Sequence, residues 1–175
     1  MNTVRIWFSK KGEASYISLL DLQRGMDFKT EEEHPDFEAW AKALQGVMPT
    51  GIEVNRLCPA TRKAEEIAWS RYTVTYPAKT AGDAARRYNA LPQALVEKKS
   101  KRGVKTLDLK KYIPHIEVRE EAEGDCFELL LPAGVSFTVN PALLTGFLEK
   151  EYGLEPWNAR ILRTELLTGK MEKFE

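Results

Sequence analysis

Val4-Arg5-Ile6-Trp7-Phe8-Ser9-Lys10-Lys11-Gly12 opens the chain and decides how the rest is read. Val4, Ile6 and Phe8 alternate with Arg5, Trp7 and Ser9, the period of a strand with one apolar face, and Gly12 supplies a turn behind it. Ser15 or Ser18 then caps a short helix bearing Leu19, Leu20 and Leu22, which Gly25 stops. Residues 26–29 read as a short strand. Residues 35–47 put Phe37, Trp40, Ala41, Leu44 and Val47 at helical spacing, with Pro35 suited to a first turn and Pro49 and Gly51 ending the helix. Ile52, Val54 and Leu57 belong to another strand before Pro59.

Residues 61–66 are polar and read as a joint. A second series follows: a strand over 71–76 with Tyr72, Val74 and Tyr76 alternating, then an alanine-rich helix over 81–91 that Pro92 closes. A strand over 95–99 runs into the hairpin tip Ser100-Lys101-Arg102-Gly103 and returns over 104–109. Residues 115–119 and 126–131 form a further hairpin around the acidic stretch 120–125. A helix over 140–152 turns Leu143, Leu144, Phe147 and Leu148 inward behind Pro141, and a strand over 159–167 closes the series. Helices and strands alternating with hairpins predict an α+β fold of two tandem ferredoxin-like α/β sandwiches with mostly antiparallel sheets. Residues 1–66 form the first and 67–175 the second, which carries the basic hairpin 95–109.

With 175 residues and 43% hydrophobic content the chain is long enough to bury a substantial core. Basic and acidic residues number 26 each, so no global field steers it to nucleic acid or an anionic membrane, and any such binding must be local. Cys58 and Cys126 are the only cysteines, which argues against a disulfide framework or a structural zinc site, and no cofactor is expected. Arg5 interrupts the first apolar stretch and no segment approaches the roughly 18 apolar residues of a membrane span, so a soluble cytoplasmic protein is expected.

Three stretches carry a family likeness: residues 5–12, residues 16–24 with Tyr16-Ile17-Ser18 and Leu20-Asp21-Leu22-Gln23-Arg24, and residues 97–109 with Glu97-Lys98-Lys99-Ser100-Lys101-Arg102-Gly103-Val104-Lys105 running into Leu107-Asp108-Leu109. In these the chain resembles the radical-SAM-linked, or radical-SAM-associated, bacterial proteins, small domains of unknown function found beside or fused to a radical SAM enzyme. The resemblance implies a radical SAM enzyme as partner. Where the family usually carries a histidine this chain has Leu19, a residue that should simply pack. The family also carries about forty further residues between Arg24 and Met26, and a strand–helix–strand crossover needs a dozen or more to climb over a sheet, so an internal segment is expected to be missing here.

No constellation specifies a reaction. Lys98, Lys99, Lys101, Arg102 and Lys105, with Lys110 and Lys111 behind them, face only Asp108 within their span and could straddle phosphates in a salt-dependent contact with RNA or an acidic partner. Arg5, Lys10 and Lys11 would extend that surface if the two sheets align. Lysines are equally the residues that guard a hairpin edge against aggregation, and Glu120, Glu121, Glu123 and Asp125 offer a counter-patch within the chain. Asp21 and Arg24 are spaced for an ion pair on a helix, and the family likeness suggests instead that Ser18, Asp21 and Arg24 line a groove. His34 and His115 each read as structural or surface residues, and Trp7, Trp40 and Tyr72 as core. No Cys-x-x-x-Cys-x-x-Cys motif is present, so the chain holds no radical SAM cluster of its own. The expectation is a non-catalytic accessory domain that presents an RNA or protein substrate to a radical SAM enzyme. The alternative is a tandem ferredoxin-like protein that binds or processes RNA independently.

Overall fold

The computed structural model describes residues 2–10, 19–21, 24–77, 80–100, 103–122 and 124–174. In chain order its elements are β1 (Asn2–Lys10), β2 (Leu19–Asp21), β3 (Arg24–Thr30), α1 (Phe37–Val47), β4 (Ile52–Pro59), β5 (Ile67–Tyr76) and α2 (Ala81–Asn89). They continue with β6 (Leu95–Ser100), β7 (Gly103–Asp108), β8 (Arg119–Glu121), β9 (Gly124–Pro132), α3 (Ala142–Tyr152) and β10 (Arg160–Thr168).

The alternation of the opening stretch makes β1 the centre of a three-stranded antiparallel sheet ordered β3-β1-β4. Val4 and Ile6 are buried with Leu57, and Phe37, Trp40, Ala41 and Leu44 of α1 pack on them at the predicted helical spacing. Asp36 starts α1 by accepting from the Ala39 amide at 3.0 Å. Gln45 then ties the helix to β4, its Oε1 accepting from Val54 N at 2.7 Å and its Nε2 donating to Ile52 O at 3.2 Å.

The second sheet is ordered β2-β10-β5-β9-β8, with only the β2–β10 pairing parallel. Tyr72, Val74 and Tyr76 on β5 and Phe127, Leu129 and Leu131 on β9 bury the face that α2 and α3 cover through Ala84, Ala85, Tyr88, Leu144, Phe147 and Leu148. Burying one such side chain contributes on the order of 1.5–3 kcal/mol, so this cluster, far larger than that of the first sheet, dominates the stability of the fold. α2 has no cap from its own Thr80. Asp125 of β9 supplies it, Oδ2 accepting from the amides of Ala81 and Gly82 at 2.8 and 3.3 Å. α3 ends at Gly153, whose φ of 70° puts it in the left-handed region where a side chain is disfavoured. Among the described residues β6 and β7 pair only with each other, as a separate hairpin inserted between α2 and β8.

Two expectations are corrected. Residues 19–21 are strand, not helix, in parallel register with β10, Leu19 opposite Ile161 and Leu20 opposite Leu162. A helix of about two turns is marginal in isolation, and pairing with an apolar strand outweighs local propensity. The remainder of that expected helix lies outside the described residues. Residues 115–118 are not strand either, because Asn89 satisfies both backbone groups of Ile116: Oδ1 accepts from its N–H and Nδ2 donates to its C=O, each at 2.8 Å. Strand begins only at Arg119.

Candidate nucleic-acid interface

The hairpin carries the strongest sequence expectation, and its register sets its faces. Val96 pairs with Leu107 and Lys98 with Lys105, both on one face because side chains alternate. Val96 and Leu107 pack against the main core. Two residues nearer the tip, the same row continues as Lys98 directly opposite Lys105, beyond the edge of that core. Like charges placed directly opposite one another on a sheet destabilise it. Lys98 is accommodated by its neighbours: its ammonium donates to Thr138 O and lies 4.8 Å from the centre of the Phe137 ring. Lys105 is exposed. Lys99 is placed by backbone alone, opposite Val104, and Lys101 and Arg102 lie outside the described residues.

The loop beneath Lys98 was not foreseen. Residues 133–138 are closed by a bridge between Ala133 and Thr138, by the Thr138 hydroxyl donating to Gly134 O at 3.0 Å and by Ala133 N donating to Ala68 O at 2.8 Å. The loop presents Val135, 82% exposed, and Phe137, 38% exposed with Tyr112 packed beside it at 5.5 Å. Val104 and Leu95 of the hairpin are exposed as well. The basic hairpin is therefore bordered by apolar surface. The only hint in the sequence was Pro132-Ala133-Gly134 before the alternating Val135 and Phe137, a pattern that reads equally well as the start of a strand.

Arg5 does not extend this surface. It is 2% exposed, its Nε and NH2 donating to Asp27 at 2.8 and 2.9 Å, its NH2 also to Arg62 O, and its guanidinium lying 4.5 Å from the centre of the Phe174 ring. The hydrogen bonds to Asp27 hold it more firmly protonated than a free arginine. The expectation fails because the second face of β1 is covered from the far end of the chain, Phe174 standing edge-on to Trp7 at 6.3 Å. Lys10 lies on β1 and Asp21 and Arg24 on β2 and β3, each placed by backbone alone, while Lys11 and Ser18 lie outside the described residues.

The second sheet offers no stacking platform at its middle. Opposite the helices, the centre of β5 and β9 carries Thr73, Thr75 and Glu128, with Cys126 buried beside them. The charged groups there are engaged with one another: Arg71 pairs with Glu165 at 3.0 Å and with Glu128 at 3.8 Å, and Arg119 with Glu128 at 3.5 Å. Tyr72 and Trp7 are buried, as expected of core aromatics. A separate groove of about 600 Å³ runs along α2, lined by Asp83, Arg86, Asn89, His115, Glu117 and Glu120 among others. His115 stands there 3.4 Å from Asn89.

These features define a mixed α/β protein with mostly antiparallel sheets and an inserted basic hairpin. The chain belongs to a family of uncharacterised proteins conserved in bacteria (DUF2344), whose model matches residues 25–141, a span that contains the hairpin and the loop beneath it. No curated protein and no solved structure matches it.

Proposed function

We propose that the chain is a non-catalytic accessory domain that works beside a radical SAM enzyme and presents an RNA substrate to it. The observation that carries the reading is the hairpin: among the described residues it pairs with no other strand, it leaves the core two residues after Val96, and it brings Lys98 and Lys105 face to face at the base of a Lys-Arg tip. An anion between opposed lysines relieves their repulsion, and a phosphodiester backbone supplies such anions at regular spacing. The likeness of residues 5–12, 16–24 and 97–109 to radical-SAM-linked proteins names the partner, and two cysteines are too few to hold the enzyme's cluster in this chain.

In this reading the units are two ferredoxin-like sandwiches divided at residues 66 and 67. Supporting the second is its order β5-α2-β8-β9-α3-β10 with strands arranged β10-β5-β9-β8, the split βαβ arrangement with the basic hairpin inserted after its first helix. The first has β1, β3, α1 and β4 arranged β3-β1-β4, which corresponds to the same arrangement without its first helix and second strand. Both would fall between β1 and β3, where the family likeness puts the missing segment.

The test is a pull-down of the tagged protein from its native cell, with co-purifying proteins identified by mass spectrometry before and after ribonuclease. A radical SAM enzyme that survives ribonuclease, together with RNA lost when Lys98, Lys99, Lys101 and Arg102 are all neutralised, is the expected result. RNA without such an enzyme makes the chain an independent RNA-binding protein and overturns the accessory role.

A further inference from the structure

The hairpin and the 133–138 loop meet at Lys98 and bring two kinds of chemistry to one surface. On one side is the Lys98–Lys105 pair, on the other the Phe137 ring, and the Lys98 ammonium, 4.8 Å from the centre of that ring, joins them. The loop is held closed by the Ala133–Thr138 bridge and the Thr138 hydroxyl, and Tyr112 supports the ring, so the aromatic side is already built before any ligand arrives. Large exposed apolar residues cost solubility, and Val135 and Phe137 standing together beside a cationic row mark a surface with a use.

We propose that this surface binds single-stranded RNA, a phosphate lying between Lys98 and Lys105 and the adjoining base against the exposed part of the Phe137 ring. Cations tracking the backbone with an aromatic ring under a base is the chemistry by which single strands are held without sequence preference. A duplex hides its base faces in its own stack, so only an unpaired base fits this ring. An acidic peptide would satisfy the lysines but leave the ring without a partner. The inference rests on the reading of the hairpin as an RNA-binding element and adds the form of RNA and the residue that holds its base.

The experiment uses the full chain, a fluorescent ten-nucleotide oligouridylate and a hairpin duplex RNA of equal charge, with binding followed by anisotropy across salt concentrations. Phe137→Leu should weaken oligouridylate binding by about tenfold or more without changing the salt slope, because a stacking face is lost and no charge is. Lys105→Ala should weaken it and lower the slope by about 0.7, the loss of one phosphate contact on a single strand. Both positions are exposed, and thermal melting checks that each variant folds. If wild type binds with a salt slope but Phe137→Leu binds equally well, or the duplex binds as tightly, this inference is overturned while the hairpin remains an RNA-binding element. If poly-glutamate binds as tightly as the RNA and ignores Phe137→Leu, the occupant is an acidic protein and the inference again fails. If wild type binds no RNA at all, the reading beneath it fails as well.

Discussion

Arg5 and Asp27 sit directly across from one another in the register of β1 and β3, and the arginine grips the carboxylate with two parallel hydrogen bonds of 2.8 and 2.9 Å. The same guanidinium donates to Arg62 O and covers the Phe174 ring, so four distant parts of the chain meet at one side chain. Removing one partner of a buried pair costs more than the pair contributes, because a desolvated charge is left behind. Asp27→Ala should therefore destabilise the fold by about 2–3 kcal/mol, below the roughly 3–5 kcal/mol of fully buried pairs because the Asp27 side chain is 39% exposed. Arg5→Lys should cost nearly as much, since an ammonium cannot reproduce the fork. Urea unfolding measures both as a lower midpoint at constant slope; midpoints like wild type would show that the pair does not stabilise this part of the fold.

Glu165 gives the protein an acid limit. Its carboxyl titrates below its ordinary value, chiefly because Arg71 donates to it at 3.0 Å, with Lys173 assisting at 3.4 Å. A depressed folded pKa means that the ionised form is favoured in the native state. Its contribution is thus fully present above the unfolded value near 4.5 and is lost as pH falls through the lower folded value. Glu165→Gln should flatten the fall of melting temperature below about pH 4.5 and leave the melting temperature at neutral pH within a few degrees of wild type, since pairs this exposed contribute about 0–1 kcal/mol. An acid limb equally steep in the variant would assign the loss to other carboxylates.

Burial pushes the Tyr88 phenol well above its usual value near 10, and its hydroxyl donates to Ile113 O at 2.7 Å. The neutral form is favoured in the folded state, so the sign is opposite to that of Glu165. Stability is intact below the unfolded value near 10 and is lost as pH rises through the folded one. Tyr88→Phe should leave the Ile113 carbonyl without its donor, at a cost of about 1–3 kcal/mol at neutral pH, and should weaken the alkaline unfolding. Ultraviolet titration of the phenolate checks this: Tyr88 and Tyr76, which burial also raises, should ionise only as the chain unfolds.

What the sequence revealed was the alternation within elements. Tyr72, Val74 and Tyr76, the Phe37–Leu44 helix face and the hairpin around Gly103 all rest on local periodicity and turn chemistry, and each is where that chemistry puts it. What it concealed was closure by distant partners. Arg5 looks exposed until Phe174 covers it, Leu19 and Leu20 look helical until β10 pairs with them, and Ile116 looks like strand until Asn89 takes its backbone groups. The candidate site divides the same way: the lysines of the hairpin are legible as a charge run, whereas Phe137 becomes part of the surface only because the loop closes beneath Lys98.

Because β6 and β7 pair with no other strand among the described residues, the tip should be removable without loss of the fold. Replacing residues 99–104 by Asn-Gly retains the Lys98–Lys105 pair and the Val96–Leu107 pair that meets the core, and Asn-Gly favours the two-residue turn that such a junction needs. Melting temperature should stay within about 2–4 °C of wild type, because a change of under 1 kcal/mol moves a domain of this size by no more than that. RNA affinity should fall, and the salt slope should drop by about 2, since Lys99, Lys101 and Arg102 are lost and each phosphate contact on a single strand contributes about 0.7. A shortened hairpin that folds and binds with an undiminished slope would take the tip out of the interface and leave the Lys98–Lys105 pair to account for binding alone.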